Sequence, residues 1–132
     1  MVRDEGTMGF RVYRVDRDFT PFPVIKGGGD ARMVTGASTG ATTRTMGYVV
    51  MKPGQENVPH RHPASEDIIY ILQGHGTAVD LDGGAAHPYR PGSVILVSAG
   101  TRHAVTSAGP DDYISIGGPC PPDRSMLTVP QS

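Results

Sequence analysis

Gly54-Gln-Glu-Asn-Val-Pro-His60-Arg61-His62-Pro-Ala-Ser-Glu66-Asp67 is the stretch on which the reading of this chain turns. On an extended strand, side chains two residues apart point to the same face. His60 and His62 therefore share a face, with Arg61 turned away from them. An acidic pair, Glu66 and Asp67, follows just downstream, and a further histidine stands at His103. Two imidazoles on one face with a carboxylate nearby are how a sheet presents nitrogen and oxygen ligands to a divalent metal.

The rest of the chain agrees with strands. It has 132 residues, of which 18 are Gly and 12 are Pro, too many breaks for long helices. Strands are expected over Phe10–Val15, Ala31–Thr35, Arg44–Met51, Ile68–Leu72, Thr77–Leu81, Val94–Val97, His103–Thr106 and Tyr113–Ile116. Turns are expected at Gly27-Gly28-Gly29-Asp30, Pro53-Gly54, Asp82-Gly83-Gly84, Pro91-Gly92 and Ala99-Gly100-Thr101. From Gly117 onward the tail reads as irregular and packed along the outside. Short strands at this spacing make an all-β sandwich or closed barrel, read as one domain over residues 1–132. Its motif core is 44–117, with an N-terminal arm over 1–43 and a tail over 118–132.

Composition excludes some classes of function. Twelve basic and 13 acidic residues give a formal net charge of −1, with no basic run of the kind that holds nucleic acid. No apolar run is long enough to span a bilayer, and Met-Val-Arg-Asp-Glu-Gly does not read as a signal peptide. The single Cys120 allows no internal disulfide, so a cytoplasmic protein is expected.

The spacing of the motifs resembles that of the cupins, small jelly-roll β-barrels that often hold a metal. The first cupin motif runs Gly, five residues, His-x-His, three or four residues, Glu, six residues, Gly. It is met by Gly54, His60-Arg61-His62, Asp67 and Gly74. The second runs Gly, five residues, Pro-x-Gly, two residues, His, three residues, Asn, and is met by Gly92, Ser98-Ala99-Gly100, His103 and Ser107. Asp67 stands in place of Glu, Ser98 in place of Pro and Ser107 in place of Asn. The resemblance implies a cupin-type jelly-roll barrel with one divalent ion per chain (Fe, Mn, Ni or Zn) on His60, His62 and His103.

Asp67 is the fourth candidate ligand, but its carboxylate is one methylene shorter than that of Glu. It is expected to stop roughly one C–C bond, ~1.5 Å, short of a metal that wants contacts of ~2.0–2.2 Å. It would then act through water or as a proton acceptor. Periodicity does not choose between the two acids: Asp67 shares a side with Ile69 and Ile71, Glu66 with Ile68, Tyr70 and Leu72, and both sides are apolar. Met46, Tyr48 and Val50 share a face that either lines the cavity or packs as ordinary core. Tyr48 is a candidate catalytic proton donor, as is Tyr70, if they face inward. His75 and His87 read as exposed loop residues.

The resemblance implies a metalloenzyme acting on a small oxygenated organic molecule, by dioxygenase-type chemistry as the first reading and as a metal-assisted polyketide cyclase as the alternative. A non-catalytic small-molecule-binding or sensory barrel is the reading from another class. Sugar isomerase or epimerase activity is disfavoured, since no basic cluster awaits a sugar phosphate. A homodimer is expected, with Phe10–Val15 as the strand that pairs across subunits.

Overall fold

The computed structural model describes residues 9–127 and is built almost wholly from β-strands. They are β1 (Thr20–Pro21), β2 (Asp30–Met33), β3 (Gly47–Met51), β4 (Glu66–Gln73), β5 (Gly76–Asp80), β6 (Ala86–Tyr89), β7 (Val94–Val97), β8 (His103–Val105) and β9 (Tyr113–Cys120). Short 3-10 turns lie at Gly36–Ser38 and Arg124–Leu127. A six-stranded sheet runs β1-β2-β3-β9-β4-β7 and a three-stranded sheet runs β6-β5-β8, with every pairing antiparallel. The buried apolar cluster draws Met51, Ile69, Ile71 and Tyr113 from the larger sheet and Tyr89 and Val105 from the smaller one. This is the jelly-roll barrel of the cupin fold. Among the described residues, no helix is long and apolar enough to cross a membrane.

β4 sits inside the larger sheet, between β9 and β7, and its two faces differ sharply. Asp67, Ile69 and Ile71 are buried at 5, 9 and 0% exposure. Glu66, Ile68, Tyr70 and Leu72 lie on the outer face and are exposed. The alternation that left the acidic pair ambiguous is thereby resolved, with Asp67 inside. Two glycines allow this packing. Gly74, at φ +103°, ends the strand where a Cβ would stand 2.8 Å from the Tyr113 Cα. Gly117, opposite Ile69, leaves no room for a side chain against the Ile68 carbonyl.

Several expectations change. Phe10–Val15 forms no strand; its alternation survives, but Phe10 and Val12 point to solvent at 86 and 70% exposure while Arg11, Tyr13 and Val15 are half-buried. Among the described residues no sheet edge receives the segment, so its pattern has no ladder to express. The stretch around His87 is strand β6 rather than a loop. Pro88 is accommodated there because β6 is an edge strand, where a missing N–H costs no ladder bond. β9 continues through Gly117, Gly118 and Pro119 to Cys120, beyond the expected end at Ile116, because β4 is long enough to pair with it.

Candidate metal centre

The two motifs meet as antiparallel partners. The Gly54 N–H donates to the Ser107 carbonyl (2.8 Å), and the Ser107 N–H donates to the Gln55 carbonyl (2.9 Å). Asn57 and Val105 pair next, and then His60 and His103 exchange both backbone hydrogen bonds, at 3.0 and 2.8 Å. Directly opposed residues project to one face. His103 is thus delivered beside His60 by ladder register, with ring centroids 4.4 Å apart. His62, two residues on, joins at 4.9 Å from His60 and 5.6 Å from His103. Asp67 arrives from the inner face of β4.

Ligand atoms of His60, His62, Asp67 and His103 all lie within 4.8 Å of one another, and all four side chains are buried. The orientation of each ring follows from what its Nδ1 touches. Nδ1 of His60 lies 2.6 Å from the Val58 carbonyl, and Nδ1 of His103 lies 2.8 Å from the Thr101 carbonyl. A carbonyl only accepts, so both Nδ1 atoms carry the proton and Nε2 is the nitrogen left for the centre. Nδ1 of His62 lies instead 2.9 Å from Asp123 Oδ2, a carboxylate 61 residues away.

Asp67 Oδ2 stands 3.3 Å from His103 Nε2 and 3.4 Å from His62 Nε2. Ligands held at ~2.0–2.2 Å in a tetrahedral shell are spaced roughly 3.3–3.6 Å apart. Asp67 Oδ2 thus stands at the spacing of a fellow ligand from two of the three histidines, despite the shorter side chain. His62 Nε2 and Asp67 Oδ1 are buried with no hydrogen-bond partner among the described residues. Burying such atoms unpaired is costly, and a cation accepting lone pairs from this set would satisfy them. Three imidazole nitrogens and one carboxylate suit Fe, Mn, Ni or Zn.

The electrostatics differ from one histidine to the next. Burial pushes His60 down to about 4, helped by the neighbouring His103 and His62, so its ring is neutral near pH 7. Burial also opposes charge on His62, but the nearby carboxylates of Asp67 and Asp123 outweigh it and raise its pKa. Burial would raise Asp67, yet His103 and His62 hold it well below the usual carboxylate range. Without a metal, the centre is an anionic carboxylate held among imidazoles.

A cavity of about 50 Å³ adjoins His60 and Asp67, walled by Phe22, Val49, Met51, Ile69 and Tyr113. Pockets for drug-sized ligands run to roughly 300–1,000 Å³, so only the reacting end of a substrate of that size fits within. Burial raises the Tyr113 phenol further from ionisation and keeps it a hydrogen-bond donor. Tyr48 is not among the lining residues, a correction to its candidate catalytic role. Opposed residues share a face, and β3 places Gly47, Val49 and Met51 opposite Gly117, Ser115 and Tyr113, all of which line the cavity. Tyr48 takes the other face, with the Arg32 guanidinium 5.4 Å from its ring. Tyr70 is likewise outside, at 42% exposure. His75 and His87 are exposed, and neither belongs to the buried cluster. Tyr113 and Asp123 are what the sequence reading passed over. The first looked like one apolar residue of a strand, and the second lies in a tail whose spacing to the motifs carries no signal.

The family described as "Cupin domain" matches residues 47–116. The chain is 35% identical over 91 residues to "Polyketide synthase CurC" of Streptomyces cyaneus, covering 68% of this chain and 58% of that protein. It is 38% identical over 88 residues to "Protein SchB" of Streptomyces halstedii, covering 66% and 62%. The chain thus spans about three-fifths of the length of these curated relatives. In fold it is similar to the polyketide cyclase RemF of Streptomyces resistomycificus, at TM-score 0.62 and 24% identity, over 87% of this chain and 83% of that one. Matched through both histidine-bearing motifs and in barrel architecture, the chain belongs to the cupin family.

Proposed function

We propose that this cupin is a metal-dependent cyclase of the polyketide type, acting in the cytoplasm on a small molecule rich in ketone oxygens. The observation that carries the reading is the buried cluster of His60, His62, Asp67 and His103 beside an apolar cavity. Its relatives among polyketide synthase proteins favour cyclisation over the dioxygenase alternative. A divalent ion held by these four residues supplies Lewis acidity toward a carbonyl oxygen.

The chain's own groups do the rest. The Nδ1 hydrogen bonds of the three histidines fix their rings so that Nε2 faces the centre. Asp67 Oδ1, without a hydrogen-bond partner among the described residues, takes a proton from a methylene between two ketones. A carboxylate held at so low a pKa is a weak base, which suits only a doubly activated carbon acid of this kind. As that C–H bond breaks, its electron pair forms a C–C bond to a distant ketone carbon, whose oxygen takes up the proton that Asp67 removed. Phe22, Val49, Met51 and Ile69 keep water from the carbanion. Tyr113, held neutral, donates a hydrogen bond from the cavity wall.

Protein reconstituted in turn with Zn²⁺, Ni²⁺, Mn²⁺ and Fe²⁺, mixed with a soluble 1,3,5-triketone, tests this. Ring closure followed by ultraviolet absorbance, without oxygen uptake, is the expected result. Oxygen consumption coupled to substrate loss would transfer the assignment to dioxygenase chemistry, and binding without turnover would make the barrel a sensor. A homodimer is part of the same proposal. Ile68 pairs with Leu96 and Tyr70 with Val94 across the outer face, and all four are exposed at 42–62%. A second copy, apolar at the same place, is the partner that covers such a face. Light scattering at micromolar concentration checks it, with a monomer counting against it.

A further inference from the structure

We propose that Asp123 is a positioning residue for the metal centre: through His62 it sets the orientation and the donor strength of one ligand. The inference rests on the metal-binding reading above. Of the three imidazoles, His62 is the one whose Nδ1 meets a carboxylate, at 2.9 Å, while those of His60 and His103 meet backbone carbonyls. The carboxylate is itself held. Asp123 Oδ1 accepts from the Ser125 N–H (3.1 Å) and the Ser125 hydroxyl (2.6 Å), which leaves Oδ2 aimed at His62. The segment is pinned upstream as well, where the Ser65 hydroxyl donates to the Pro121 carbonyl (2.5 Å). Ser65 is three residues beyond His62, so both anchors of the segment fall on the loop that carries the ligand.

The chemistry is that of a carboxylate–histidine–metal triad. Donation of Nδ1–H to an anion leaves Nε2 as the free nitrogen and makes it a better electron-pair donor, and such partners change metal affinity by about 10–100-fold. His62 Nε2 is the imidazole nitrogen in the cluster that is buried without a hydrogen bond, so it is the one poised to be used. Linkage makes the effect reciprocal. Whatever draws on Nε2 tightens the Nδ1–Asp123 contact and with it the docking of residues 121–125.

The test is Zn²⁺ titration against a competing chelator in the full-length protein, wild type beside Asp123→Ala and Asp123→Asn. Asp123→Ala is expected to bind about 10–100-fold more weakly. Asp123→Asn should fall between, because its amide oxygen still accepts the hydrogen bond without the charge. Zn²⁺ should slow hydrogen exchange of the Ser125 amide in the wild type and not in Asp123→Ala or His62→Ala. Asp123→Ala binding Zn²⁺ within twofold of wild type would overturn the assignment. So would equal losses in both Asp123 variants accompanied by equal losses in metal-free thermal stability, since that pattern marks a packing role. Failure of the wild type to bind Zn²⁺ or the other three ions would instead overturn the metal reading itself.

Discussion

His60 and His103 are oriented by their own neighbourhood, whereas His62 is oriented from across the molecule. The first two donate Nδ1–H to carbonyls two residues upstream, Val58 and Thr101, and face each other through paired backbone hydrogen bonds. The third depends on a side chain 61 residues later in the chain. A backbone carbonyl survives every side-chain substitution, so the first pair is built to last. A carboxylate carries charge and can be removed, so His62 is where both affinity and protonation can be tuned. The same contrast appears in their acidity: His60, with no acid at Nδ1, is held at about 4, while His62, between Asp67 and Asp123, is raised.

The largest effect separates ligands from scaffold. Replacing His60 and His62 together by Ala should abolish metal retention, measured by elemental analysis after dialysis, while far-ultraviolet circular dichroism keeps its β-signature. Full metal occupancy in that double variant would remove the basis for calling either histidine a ligand. Asp67→Asn keeps the volume but loses the charge, and should weaken Zn²⁺ binding about a hundredfold, roughly 2.7 kcal/mol. Glu66→Gln, on the outer face of β4, should leave it unchanged. The reverse ranking would mean that β4 is read one residue out of register.

The comparison between the imidazoles also predicts a pH dependence for the metal-free protein. Below its ordinary value of 6.5, His60 takes up a proton in the unfolded chain but not in the folded one until about 4. The unfolded state binds more protons in that window, so stability falls as pH drops from 6.5 toward 4, by about 3 kcal/mol for this group. His62 acts in the opposite direction and elsewhere. Its raised pKa lends stability that is present in full below 6.5 and is lost as pH rises through the folded value. Chemical denaturation at pH 4.5 and 6.5 checks the His60 part, and His60→Gln should flatten that slope. The smallest expected effect is the sharpest on the comparison. Thr101→Ala should leave Zn²⁺ affinity within about 0.5 kcal/mol of wild type, because His103 is oriented by the backbone of that residue and not its side chain. A loss as large as that of Asp123→Ala would erase the distinction drawn here.

How far the site was legible follows the same division. The strand period and the counts from Gly54 to Gly74 and from Gly92 to Ser107 were enough to pick out His60, His62 and His103, because a period-two chain puts chosen residues on one face wherever the strand ends up. The cupin fold was readable from those counts as well. Phe10–Val15 shows the limit of that signal, since alternation describes a strand only where a partner edge exists to receive it. His87 shows the converse, a Pro-containing stretch that becomes an edge strand because β5 pairs with it.

By itself, then, the sequence determined which residues can share a face and at what spacing. Which face is inside was decided by tertiary structure. β4 offers apolar residues on both sides, and only its packing against the smaller sheet buries Asp67 and leaves Glu66 in water. Register decided Tyr48 in the same way, by opposing Val49 and Met51, not Tyr48, to the inward residues of β9. Asp123 is the extreme case: local rules end within a few residues of His62, and a hydrogen bond across 61 residues exists only once the barrel has closed and the C-terminal segment has been carried back over it.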